Sequence, residues 1–115
     1  MKKVYYLKTC STCQRILKEW DLSSDFELQN IKTEKMTEGQ VDEMIALAGS
    51  AEALFSRKAM KYRAMGLHEK DLSEKDYRQL IINEYTFLKR PVLILNEQIF
   101  IGNSKKVVAE AKAAL

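Results

Sequence analysis

Between Val4 and Gln29 the apolar pattern changes period twice, and this succession narrows the folds open to the chain. Val4-Tyr5-Tyr6-Leu7 is a short apolar run of strand length. Cys13, Ile16, Leu17 and Trp20 then recur at i, i+3, i+4 and i+7, one face of a helix over about residues 11–20. Phe26-Glu27-Leu28-Gln29 returns to alternation and reads as a second strand. Strand–helix–strand order implies two parallel strands joined by a right-handed crossover.

The rest of the chain extends this frame. Thr37-Glu38-Gly39-Gln40 is a capping box ahead of Val41, Met44, Ile45 and Ala48, with Gly49 as the stop. Shorter helical stretches are predicted over Ala51–Phe55 and near Ala59–Met65, before Gly66. Ser73-Glu74-Lys75-Asp76 caps a further helix carrying Tyr77, Leu80, Ile81 and Glu84 on one side. After Arg90-Pro91, Val92-Leu93-Ile94-Leu95 reads as a buried strand, Asn96-Glu97 as a tight turn and Gln98-Ile99-Phe100-Ile101 as its hairpin partner. Asn103 or Ser104 caps a last helix with Val107, Val108, Ala111 and Leu115 inward. The sum is β-α-β, a helical insertion over about residues 37–85, then β-β-α. The predicted class is α/β: a thioredoxin/glutaredoxin-like four-stranded mixed sheet within a single domain spanning 1–115.

Length and charge set the outer bounds. A chain of 115 residues builds one hydrophobic core and is too short for two. Its net charge of +3 comes from interspersed basic and acidic residues, so no direct nucleic-acid contact is expected. No apolar run approaches membrane-spanning length, and Met1-Lys2-Lys3 leads into a strand rather than a signal-peptide core. A cytoplasmic protein without a membrane partner is the expectation.

The only two cysteines, Cys10 and Cys13, lie between the first strand and the first helix. Helix-start amides and the positive end of the helix dipole favour thiolate over thiol. The helical period turns Cys13 toward the core and leaves Cys10 at the helix mouth as the accessible sulfur. That asymmetry suits an attacking thiol paired with a resolving one. The plain alternative is that both are small buried apolar residues. Zinc needs about four ligands, and besides the cysteines the only histidine is His68, so no metal site is expected. His68 itself, in a polar loop, reads as exposed, and Trp20 and Tyr5 read as core.

Lys8-Thr9-Cys10-Ser11-Thr12-Cys13-Gln14-Arg15, Leu54-Phe55-Ser56-Arg57-Lys58, Gly66-Leu67 and Phe87-Leu88-Lys89-Arg90-Pro91-Val92-Leu93-Ile94 stand in a spacing that resembles the ArsC-type proteins. These include glutaredoxin-coupled arsenate reductases and Spx transcriptional regulators. The resemblance implies a nucleophilic Cys10 attacking arsenate or a related substrate, with the anion held by Arg57 and Arg90 and by amides at Ser11, Thr12 and Cys13. Guanidinium groups and helix-start amides are the donors that an oxyanion needs. Pro91, the only proline, would be the cis-proline facing the cysteines in such a fold.

Two departures separate the chain from single-cysteine reductases of this type. They place a third arginine where this chain has Gly102-Asn103, and a serine where it has Cys13. Losing one oxyanion donor commonly costs roughly 3–4 kcal/mol of transition-state stabilisation. With Cys13 present, an oxidised Cys10 can be attacked from within the chain. The resemblance therefore implies no bound cofactor, with glutathione/glutaredoxin or thioredoxin as electron donor. The alternative it carries is an Spx-like redox-switched regulator that binds the RNA polymerase α subunit, although Gln14 stands where Spx proteins have a basic residue.

Overall fold

The computed structural model describes residues 1–115. Its elements run β1 (Lys2–Tyr6), α1 (Ser11–Trp20), β2 (Glu27–Asn30), α2 (Glu38–Ala48), α3 (Met60–Ala64), α4 (Glu74–Asn83), β3 (Val92–Leu95), β4 (Gln98–Ile101) and α5 (Lys105–Ala114). Single 3₁₀ turns lie at Glu52–Leu54, Leu67–Glu69 and Tyr85–Phe87. The chain divides into two compact units, Met1–Lys35 with Arg90–Leu115, and Met36–Lys89. No helix is long and apolar enough to cross a membrane.

The first unit is the four-stranded mixed sheet that the pattern predicts, in the order β2-β1-β3-β4. β1 runs parallel to β2 and antiparallel to β3, and β3 and β4 form the expected hairpin. Asn96 supplies the hairpin turn with φ +58°, a left-handed conformation that asparagine tolerates better than most residues. Helices α1 and α5 lie on the face that carries Val4 and Leu93, where Ile16, Trp20, Val108 and Ala111 complete one core. The Trp20 indole N–H donates to the Val108 carbonyl at 3.1 Å, joining the end of α1 to α5.

β2 departs from its alternation in exposure. Leu28 pairs in register with Val4 and so stands on the helix-covered face, yet it is 48% exposed. β2 is the sheet edge, and the helix cover does not extend to it. Gln29 is buried instead, and its amide donates to the Glu34 carbonyl at 3.0 Å, which satisfies a polar group inside. At the far end of the chain Ser104 caps α5, and Val108 and Ala111 are buried, while Leu115 remains 44% exposed.

In the second unit both capping boxes form. Thr37 and Gln40 exchange side-chain-to-backbone bonds of 3.0 and 3.1 Å, and Ser73 and Asp76 do the same at 2.9 and 3.2 Å. Gly49 ends α2 at φ +91°, where a side chain would be strained. The stretch expected as helix over Ala51–Phe55 is a single 3₁₀ turn, held by the Glu74 carboxylate, which accepts from the Ala51 and Glu52 amides. Ile82, rather than Leu80, joins Tyr77 and Ile81 on the buried side of α4. Phe55 stacks on Phe87 with ring centroids 5.0 Å apart and meets Tyr77 at 4.9 Å.

Candidate active site

Cys10 is the N-cap residue of α1, with φ −90° and ψ 114°. Its carbonyl accepts the first helical bond, from the Gln14 amide at 3.1 Å, while its side chain makes no capping bond. The first turn of α1 carries no acidic residue, so nothing cancels the positive end of the helix dipole beside this sulfur. Cys10 is partly exposed and Cys13 fully buried, as the helical period requires.

The two sulfurs are displaced in opposite directions. Partial burial works to raise the Cys10 thiol, but the Cys13 amide, the Cys13 thiol, the Thr12 amide and the Arg90 charge all favour its thiolate. The net displacement is downward. Burial dominates at Cys13, and the neighbouring Cys10 charge and hydrogen bond add to it. The Leu7 amide and Arg90 oppose them, and the thiol is pushed up to about 11. Cys10 is thus the group ready to ionise and Cys13 the one that keeps its proton.

Arg90 belongs to the same unit as the cysteines and acts on both. The Arg90–Pro91 peptide bond is cis, and Pro91 is buried immediately before β3. Ser11 and Thr12 occupy the first turn of α1, and Thr12 contributes its amide to Cys10. Arg57 lies in the second unit, where its Nη2 donates to Glu52 at 2.7 Å and to the Tyr77 hydroxyl at 2.8 Å. Its guanidinium also stands over the Tyr77 ring, 5.7 Å from the centroid. Asn103 is exposed beside Gly102, and His68 is exposed as expected.

A family model described as the ArsC family matches residues 5–111. The chain belongs to the ArsC family. Among solved structures, a Staphylococcus aureus protein studied in solution is 28% identical, with a TM-score of 0.73 over 96% of this chain and 97% of that one. An arsenate reductase from Vibrio cholerae matches with TM-score 0.75 and 16% identity, over 95% and 97% of the two chains. An arsenate reductase related protein from Brucella melitensis matches with TM-score 0.72 and 19% identity, over 99% and 95%. No curated protein matches. As an ArsC-family chain the protein shares the family's thioredoxin-like α/β fold and is arsenate reductase-like.

Sequence reasoning missed several groups around this ArsC-family motif. The Leu7 amide reaches Cys13, Gln14 and Asn30 grip the loop ahead of Cys10, and Glu52 occupies Arg57. The parallel register offers the one available signal. It pairs Tyr6 with Asn30 and so brings the end of β2 beside the exit of β1.

Proposed function

We propose that the protein is a thiol oxidoreductase that reduces arsenate or a related small oxyanion, with Cys10 as nucleophile and Cys13 as resolving thiol. The observation that carries this reading is the opposed displacement of the two sulfurs, Cys10 downward and Cys13 up to about 11. The Cys10 thiolate attacks arsenic(V), a sulfur–arsenic bond forms, and one arsenate oxygen leaves as water after protonation. A second thiol then attacks the Cys10 sulfur. The sulfur–arsenic bond breaks with its electron pair left on arsenic, which departs as arsenite, and a disulfide forms. Glutathione can be that second thiol, but Cys13 is already in place, an advantage of effective concentration. Thioredoxin or glutaredoxin then returns two electrons to the disulfide.

The same displacements order the two steps. Part of what raises Cys13 is the charge of the neighbouring Cys10. Once Cys10 is bonded to arsenic that charge is gone, while the Leu7 amide and Arg90 continue to favour a Cys13 thiolate. The resolving thiol therefore becomes easier to ionise only after the first step. Arg90, in the same unit as the cysteines, supplies positive charge to the anion, while Arg57, to which the resemblance gives a second guanidinium role, is paired with Glu52 in its own unit.

Arsenate-dependent NADPH consumption tests the reading, coupled either through thioredoxin and its reductase or through glutathione, glutaredoxin and glutathione reductase. Cys10→Ser abolishes turnover in both couplings, and Cys13→Ser loses the thioredoxin branch first. A wild-type rate no greater than that of Cys10→Ser rejects it.

Asn103 in place of the third arginine favours a second reading, a redox-switched regulator whose Cys10–Cys13 disulfide alters a surface that binds the RNA polymerase α subunit. Pull-down with the C-terminal domain of that subunit, in reduced and oxidised states, decides it. Absence of binding in both states removes this reading.

A further inference from the structure

The segment Leu7–Thr9 links β1 to the N-cap sulfur, and both main-chain groups of Lys8 within it are engaged by side chains outside the two cysteines. The Leu7 carbonyl accepts from the Cys10 amide at 3.0 Å and closes a turn. The Lys8 amide donates to Asn30 Oδ1 at 3.3 Å, and the Lys8 carbonyl accepts from Gln14 Nε2. Gln14 is itself fixed in α1, its amide making the first helical bond to the Cys10 carbonyl. Asn30 is itself anchored: it is the last residue of β2, in register with Tyr6, and its Oδ1 takes a second amide from Lys32 at 3.5 Å.

We propose that Gln14 and Asn30 are positioning residues for Cys10, gripping the two ends of the Lys8 residue so that the sulfur stays at the mouth of α1, beside the positive end of the helix. The positive end of a helix acts on a charge only within the first turn. An N-cap residue whose preceding loop is free samples backbone angles that swing its side chain off the helix axis. Lys8 fixed at its amide by the neighbouring strand and at its carbonyl by the helix narrows the backbone angles open to Cys10. The two anchors use opposite halves of their amide groups, Asn30 an acceptor oxygen and Gln14 a donor nitrogen. That difference dictates which replacements each tolerates.

The proposal rests on Cys10 as the nucleophile, but its test needs no arsenate. Iodoacetamide labelling of Cys10 in the full chain, mapped by mass spectrometry, is followed from acid to alkaline pH. Cys13 and Arg90 are the titratable groups that act on the Cys10 sulfur, and every variant leaves them unchanged. Gln14→Met and Asn30→Leu each move the labelling midpoint upward by about half to one pH unit and slow labelling at neutral pH about three- to ten-fold. Asn30→Ser, which keeps an uncharged acceptor oxygen, labels closer to the wild-type profile than Asn30→Leu. A purely structural role would lower the melting temperature without moving the midpoint. Amide exchange in the unaltered protein covers the case of a variant that misfolds, since the Lys8 amide must be protected. Wild-type midpoints in folded Gln14→Met and Asn30→Leu, or a Lys8 amide exchanging as in a free peptide, overturn the proposal. Shifted midpoints in a protein that turns over no arsenate uphold the clamp and instead reject the substrate reading.

Discussion

Cys10 and Cys13 stand one turn apart at the start of α1, and the burial of Cys13, with the influence of each sulfur on the other, drives the acidities of the two thiols apart. One helix turn thereby holds a more readily ionised thiol and a protected one side by side. The division of labour comes from depth: Cys10 is partly exposed at the helix mouth, and Cys13 is sealed within the unit.

Alkylation therefore discriminates between them. At neutral pH a thiol-specific reagent labels Cys10 well before Cys13, and the Cys10 rate falls as pH drops through its lowered pKa. Peptide mapping of partially labelled protein measures the order. Equal rates, or faster labelling of Cys13, contradict the arrangement.

Stability carries the opposite sign at Cys13. A thiol raised from 9.0 to about 11 in the folded state stabilises the fold fully below pH 9. Between those two values the unfolded chain has lost the proton and the folded chain has kept it, so stability falls as pH rises. Thermal melts from pH 8 to 11 show a declining melting temperature in the wild type. Cys13→Ser, whose hydroxyl does not titrate there, flattens that part of the slope.

Glu52 holds the Arg57 guanidinium that the proposed function assigns to the anion. An exposed ion pair is worth at most about 1 kcal/mol, so with Arg57 in the proposed role Glu52→Gln lowers KM for arsenate by no more than about five-fold. A KM that rises instead shows that Glu52 orients Arg57 rather than competing for it. Steady-state kinetics at saturating electron donor separates the two outcomes.

Asn103→Arg restores the cation that single-cysteine reductases carry after the second hairpin strand. Asn103 is exposed, so the longer side chain meets no packing barrier. Recovery of one transition-state donor raises kcat/KM for arsenate by about 100- to 1000-fold under the reductase reading. An unchanged value detaches this position from catalysis.

Trp20→Phe tests the joint between α1 and α5. The ring volume is largely kept, but the 3.1 Å indole bond to the Val108 carbonyl is lost. A cost of about 1–2 kcal/mol in urea unfolding is expected, from the lost bond and incomplete filling. Because α1 carries both cysteines, Cys10 labelling kinetics in the folded variant stay near wild type only if the helix mouth is rigid independently of its far end.

Much of the local structure follows from periods and end signals that operate within a few residues. The 3.6-residue spacing of Cys13, Ile16 and Trp20 placed one sulfur inside and the other at the helix mouth. The capping boxes at Thr37 and Ser73 marked two helix starts to the residue, and Asn96-Glu97 marked the hairpin turn. Such patterns are readable because the partners are close in the chain.

Tertiary structure decided what depends on distant neighbours. The exposure of Leu28 was settled by β2 lying at the sheet edge, and the 3₁₀ turn at Glu52–Leu54 by a carboxylate 22 residues downstream of its first amide. Arg57 found Glu52 and Tyr77, and the Lys8 residue found Asn30 across the sheet and Gln14 on the helix. A chain can state by itself which side chains are able to donate, accept or ionise. Which of them meet is set by how strands align and helices pack, because hydrogen bonds and charge act over a few ångströms of space rather than along the backbone.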